Sequence, residues 1–199
     1  MKVRRLSPDM EIPAVGATVG DFWAWGFSDV LSNTARGVLA EFLVGSALGV
    51  VDGVRMEWDP FDLLYEGAKI EIKSAAYVQR WFQKKHSVVE WKGIGEHSAW
   101  DAATGTSSKE VKRWADCYVL CLYTERDRDV SDVLDVSRWE FYVLSTERIY
   151  RELGTQKSAV LSTIRRLTEP VGFGLLKERV DQALNGAGWD EVYSPEFVE

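Results

Sequence analysis

Residues 114–123, WADCYVLCLY, are the most strand-like run in the chain, and after Asp116 they carry no charge. Successive side chains of a strand point to opposite faces of its sheet. A run that is apolar at every position is therefore buried on both faces, and it needs a covering layer on each side. The rest of the chain has to supply those layers and the neighbouring strands. Phe61–Tyr65 and Lys69–Ala75 alternate on either side of Glu66-Gly67, a turn dipeptide, which predicts a hairpin. SVVEWKGI (87–94) and WEFYVLS (139–145) read as further strands, and SAVLSTIRRL (158–167) as an edge strand. Asn33 or Thr34 can cap a helix running through Val44 or beyond. TERIYREL (146–153) reads as a short helix and VGFGLLKERVDQAL (171–184) as a terminal amphipathic one. Residues 16–33 begin with turn residues and continue into an aromatic cluster, a short helix or a wrap onto the core; 77–85 form an amphipathic connector and 96–108 a mobile loop. The expected fold class is α/β, a mixed central β-sheet flanked by helices. With 199 residues and no shift of composition, the chain should form a single domain over 1–199.

Several classes are disfavoured at once. The N-terminal MKVRRLSPDMEIPAVG is broken by Pro8, Asp9, Glu11 and Pro13 before an apolar stretch can form, so it is not a secretory signal. No apolar run reaches membrane-spanning length. Cys117 and Cys121 fall on one face of the apolar strand and read as reduced core thiols, which together with the missing signal predicts a cytoplasmic protein. The net charge of −7 speaks against nucleic acid as a partner, but it is unevenly spread. Between Gln79 and Trp114, seven basic residues face four acids. Arg80, Lys84, Lys85, Lys92, Lys112 and Arg113 are the candidates for holding a phosphate backbone, an ordinary solvated face being the alternative.

Chemistry concentrates around Ile70-Glu71-Ile72-Lys73, where an acid and a base share the strand face that the two isoleucines leave free. Glu-x-Lys alone says little, because it recurs at Glu90-Trp-Lys92 and Glu110-Val-Lys112. Context separates the three. Glu110 follows Ser107 with the spacing of a capping box and is expected to open a helical turn, and Glu90 follows QKKHS, which offers no acid. Only Glu71 belongs to a hairpin whose first strand carries an acid, Asp62, able to face the same side. Two carboxylates brought this close raise each other's pKa unless a cation lies between them. Hard oxygen donors suit Mg²⁺, which is held by one or two carboxylates together with substrate phosphates. Lys73 could then orient a water or neutralise charge on a phosphorane-like transition state. Glu41 adds to the pattern: it is the one charged residue of the helix between Gly37 and Val51. A buried acid needs a partner, which is either a basic side chain (Lys73 or Arg36) or the same cation.

In this order the residues resemble the PD-(D/E)xK nuclease superfamily of restriction endonucleases, phage recombination exonucleases and resolvases. Pro60-Phe61-Asp62 stands for the first half of its signature with one residue inserted, Glu71-Ile-Lys73 for the second, and Glu41 for the acid on the preceding helix. NTARGVLAEFLVGSALG, EWDPFDL, KIEIKSAAYVQRW and ADCYVLCLY look like segments of small prokaryotic and phage members. The resemblance covers roughly residues 18–145, with 146–199 as a C-terminal elaboration, and implies a restriction-endonuclease-like core of helix, three-stranded meander, helix and strand. It implies a Mg²⁺- or Mn²⁺-dependent endodeoxyribonuclease acting on DNA, as a homodimer if both strands are cut. Asp62, Glu71 and the main-chain carbonyl of Ile72 would bind the metal, Glu41 would complete or tune the site, and Lys73 would position the attacking water. Gln79 occupies a position where related nucleases carry a glutamine near the site. The alternative is a catalytically silent nucleic-acid- or protein-binding module, a subunit of a defence or recombination assembly. RNA is a further possible substrate.

Other chemistries find less support. His86 and His97 are the only histidines and do not form a metal-binding pair; no Gly-x-Ser-x-Gly elbow is present; and Gly93-Ile-Gly95 lacks the third glycine of a phosphate loop. Trp81, Trp91, Trp100 and Trp114 can stack on bases or pack in the core.

Overall fold

In the computed structural model, which describes residues 3–57, 59–101 and 105–186, the chain begins with a minimal ribbon. Its strands β1 (Glu11–Ile12) and β2 (Ala17–Thr18) lead directly into helix α1 (Val19–Phe27). A capping box starts α1: the Thr18 hydroxyl accepts from the Asp21 N–H while the Asp21 carboxylate accepts from the Thr18 N–H. Helix α2 (Asn33–Leu48) is capped one residue earlier than expected, by Ser32, whose hydroxyl accepts from the Ala35 N–H. It ends at Gly49, where φ is +74°, a conformation that costs a glycine little, and the Val50 N–H returns to the Gly45 carbonyl.

The predicted hairpin is present as β3 (Leu63–Tyr65) and β4 (Ala68–Ala76). Both turn residues, Glu66 and Gly67, have positive φ, as a two-residue primed turn between twisted strands requires. The chain then forms β5 (Glu90–Lys92), β6 (His97–Asp101), β7 (Thr106–Lys112), β8 (Cys117–Tyr123) and β9 (Trp139–Ser145). Helix α3 (Thr146–Leu153), β10 (Ser158–Val160), α4 (Leu161–Leu167) and α5 (Leu176–Asn185) complete the described chain. No helix among the described residues is long and apolar enough to cross a membrane.

The central sheet has the order β3-β4-β8-β9, with β4 and β8 parallel and the outer pairs antiparallel. As its composition requires, β8 is buried at all seven positions. Cys117, Val119, Cys121 and Tyr123 meet Ile70 and Ile72 in a core closed by α2 and α5, and both cysteines are free thiols. Tyr118, Leu120 and Leu122 meet Trp91, Ile94, Tyr142 and Ile149 on the other face, beneath α3, α4 and the β5–β10 pair. The mixed sheet between helical layers is thus the expected architecture.

Three local expectations are corrected. The strand predicted over 87–94 shrinks to Glu90–Lys92 and pairs with β10 rather than extending the central sheet, so no third meander strand follows β4. The loop expected over 96–108 is in large part the antiparallel β6–β7 ribbon, so Glu110 lies in a strand and its N–H is met locally by the Ser108 hydroxyl instead of opening a helix. The edge strand expected over 158–167 stops at Val160, and α4 takes over, with Ile164 buried beneath it.

Candidate active site

The alternation of β4 places Ile70 and Ile72 in the core under α2 and turns Glu71 and Lys73 to the opposite face. Glu71 is only 8% exposed, and its carboxylate forms an ion pair with the Lys73 ammonium. Asp62 immediately precedes β3. Its N–H donates to the Ile70 carbonyl at 3.0 Å, continuing the ladder, and its Oδ2 then accepts from the Ile72 N–H at 2.6 Å. A side-chain carboxylate thus takes the place of a main-chain acceptor at the edge of β4, which fixes Asp62 beside the Glu71–Lys73 pair.

The electrostatics reflect that crowding. Burial, reinforced by the charge of Glu71, pushes the Asp62 carboxyl up to about 7, against the opposing pull of Lys73 and the Ile72 N–H. Glu71 is also raised, by burial first, with Lys73 opposing and Glu41 adding repulsion. Burial acts to depress Lys73, yet Glu71, Asp62 and Glu41 together outweigh it, and its pKa lies above the ordinary lysine value. The charges of all four residues therefore reach one another, and the two carboxylates, Glu71 buried and Asp62 half-buried, are short of positive charge. Such a donor set, two hard carboxylates with a vacant electrostatic need, fits a small divalent cation. Among the described residues no group of three or more His, Cys, Asp or Glu could hold a metal. Glu41 therefore does not join Asp62 and Glu71 in a three-acid group.

Glu41 has a partner that the sequence did not disclose. Arg55 closes on it bidentately, Nε to Oε2 at 2.5 Å and Nη2 to Oε1 at 2.8 Å, and Nη1 of the same guanidinium reaches Glu57 at 3.0 Å. Neither Lys73 nor Arg36 takes that role. With the Arg55 side chain 36% exposed, Glu41→Gln should lower the stability of the metal-free protein by about 1 kcal/mol, measured by urea unfolding in EDTA. A stabilised variant would show that repulsion from Asp62 and Glu71 outweighs the Arg55 pair.

Gln79 is buried and belongs to a different network. Its Nε2 donates to the Ala76 carbonyl at 3.0 Å and its Oε1 accepts from Arg36, which also donates to Ser74, Asn33 and the Leu31 carbonyl. Arg36 is 3% exposed, its acceptors among the described residues are all neutral, and burial lowers its pKa to about 10.

The six basic candidates separate into three groups. Lys84 and Lys85 are exposed and without an ion pair among the described residues. Arg80, Lys92 and Lys112 pair with Asp29, Glu90 and Glu110, and Lys112 also lies over the Trp114 ring. Arg113 corrects the expectation of a phosphate contact, because it is 4% exposed. Its Nε donates to the Ile94 carbonyl at 2.7 Å and its Nη2 to the Gly154 carbonyl at 2.7 Å, over the ring of Tyr150. Trp91 is likewise a core residue, donating to the Cys121 carbonyl, while Trp81 and Trp100 are about half exposed.

Beside β4 lies an open cleft. Glu71 and Lys73 line it, as do Gly93, Gly95 and His97 from the β5–β6 connection and Lys157 from the segment ahead of β10. The last two were not among the site residues expected from the sequence. The β5–β10 pairing delivers them, and that pairing joins positions 90 and 160 with no local signal for it.

The family model of bacteriophage T4 endonuclease IV aligns with residues 26–163, more than half of the chain and including α2, the hairpin, the cleft and β8–β9. No curated protein and no solved structure matches.

Proposed function

Because the chain belongs to the bacteriophage T4 endonuclease IV family, we propose that it is a divalent-metal-dependent endonuclease that hydrolyses DNA phosphodiester bonds in the cleft beside β4. The observation that carries this reading is the crowding of two carboxylates, the half-buried Asp62 and the buried Glu71, against Lys73 on one strand. It is also the arrangement for which the sequence resembles PD-(D/E)xK nucleases. Asp62 and Glu71 would hold Mg²⁺ or Mn²⁺. The Ile72 carbonyl would assist, since in antiparallel pairing it leaves β4 on the same edge as the N–H that Asp62 accepts. When bound, the ion supplies charge neutralisation at the phosphate and a lower pKa for the attacking water.

The protein's own part follows from the charges. Lys73 stays protonated because three acids surround it, so it donates hydrogen bonds and does not abstract a proton. It orients the water that attacks phosphorus and holds the non-bridging oxygen on which negative charge grows as the P–O bond to the leaving oxygen breaks. The water loses its proton to solvent and the leaving oxygen gains one. Glu71 fixes the Lys73 side chain, and Glu41, held by Arg55, acts on the site through its field alone. Cutting both strands of a duplex would take two copies of the chain.

Incubation of plasmid, linear duplex and single-stranded DNA, and of RNA, with Mg²⁺ or Mn²⁺ should give DNA cleavage that EDTA stops. Cleavage that persists in EDTA would remove the metal from the proposal. A second reading, a silent binding module, draws on the closure of Glu41 by Arg55 and of Glu71 by Lys73. DNA retention without cleavage on any substrate, and without thermal stabilisation by Mg²⁺, would select it.

A further inference from the structure

The cleft has a second wall that the reaction above does not use. The Gly93 and Ile94 N–H groups both donate to the main-chain carbonyl of Lys157, at 3.0 and 3.3 Å. A Cβ on Gly95 would stand 2.9 Å from Lys157 Cγ and 3.0 Å from its Cα, so only glycine lets the lysine stem lie this close across the β5–β6 connection. Arg113 ties the same two segments together from beneath, through the Ile94 carbonyl on one and the Gly154 and Gln156 carbonyls on the other. The backbone that carries Lys157 is thereby rigid, while its side chain is exposed and its ammonium has no ion pair among the described residues. His97 lines the same cleft with Nδ1 3.4 Å from the Gly95 carbonyl. The one acid on this wall is Glu96.

We propose that Lys157 binds a backbone phosphate adjacent to the scissile one and so sets the path of the nucleic-acid strand through the cleft. This rests on the assignment of the cleft as a nuclease site, and it names the contact that holds the substrate. A fixed stem with a free cationic end, across the cleft from the Glu71–Lys73 pair, suits a phosphodiester oxygen and carries no information about base sequence. Because the hydrogen bonds that hold this wall are made by the Lys157 main chain, loss of the ammonium should leave the fold intact.

The test is fluorescence anisotropy with a labelled oligonucleotide, single-stranded and duplex, over a series of salt concentrations in Mg²⁺. Both arms carry Lys73→Ala to prevent turnover. Adding Lys157→Gln should weaken binding about tenfold at 0.1 M salt and reduce the slope of log K against log salt by about 1, the signature of one lost phosphate contact. Lys157→Arg should restore both, Glu96→Gln should tighten binding, and the melting temperature of the Lys157→Gln protein should match its parent. In the otherwise wild-type enzyme, Lys157→Gln should raise KM and leave kcat unchanged. A Lys157→Gln protein with the affinity and salt slope of its parent, or no oligonucleotide binding by the parent at all, would overturn the proposal. Its failure is separable from that of the nuclease reading: wild-type cleavage with unaltered binding by Lys157→Gln sinks only the phosphate site, whereas weakened binding without any wild-type cleavage sinks only the hydrolysis.

Discussion

Lys73→Ala should reduce DNA cleavage by about 10³-fold, with the loss in kcat rather than KM. The ammonium has been assigned to the attacking water and to the oxygen on which charge accumulates, and removing one such donor typically costs about 10²–10³ in kcat. The loss should stand toward the upper end here, because Lys73 is also a cation that opposes the charge of both carboxylates. Glu71→Gln should be at least as damaging, since it removes a proposed metal donor and the anchor of Lys73 together. The double variant should be little worse than either single one, as expected of residues that act as a unit. Circular dichroism on each variant separates lost chemistry from lost folding: Lys73→Ala leaves Glu71 buried without its ion-pair partner, and Mg²⁺ should restore part of that stability. Supercoiled plasmid nicked by Lys73→Ala at the wild-type rate would take Lys73 out of the reaction.

How much of this could be read in the sequence depended on whether burial wrote a period into it. Strand β8 is legible because all of its side chains are apolar, and β4 because Ile70 and Ile72 alternate with Glu71 and Lys73. The β3–β4 turn is legible because Gly67, which takes φ +86°, stands between two alternating runs. By contrast, β6 and β7 form a ribbon on which Thr106, Ser107, Lys109, Glu110 and Val111 are all exposed. Main-chain hydrogen bonds hold it, and no apolar alternation records it. Helix α4 was hidden by Thr163 and Ile164, β-branched residues that favour a strand until tertiary packing decides otherwise. The site divides in the same way. Asp62, Glu71 and Lys73 lie within one hairpin, so local spacing brings them together. Arg55, His97 and Lys157 reach their places through a loop and through the β5–β10 pairing, for which the sequence offers no marker.

The acid–base behaviour of Asp62 gives the largest expected effect on stability. Its pKa in the folded protein is about 7, against an ordinary value of 3.8, so the folded state binds that proton more tightly than the unfolded chain does. The cost to stability is therefore absent below about pH 4, grows as pH rises between the two values, and is complete above about pH 7. A shift of this size corresponds to about 4 kcal/mol. Metal-free wild-type protein should lose stability from pH 5 to pH 8, and Glu71, raised for the same first reason of burial, should act in the same direction. Asp62→Asn removes the charge while its side-chain oxygen can still accept from the Ile72 N–H. In EDTA, then, the variant should resemble wild type near pH 4 and exceed it by a few kcal/mol at pH 8, measured by urea unfolding. Mg²⁺ should narrow that gap at pH 8. Wild type gains about 2.7 kcal/mol at a hundredfold excess over its dissociation constant, and the variant, short of one carboxylate, gains much less at the same concentration. An Asp62→Asn protein no more stable than wild type at pH 8 in EDTA would show that the carboxylates of β4 and its edge carry no unrelieved charge, and the electrostatic case for a cation there would fall with it.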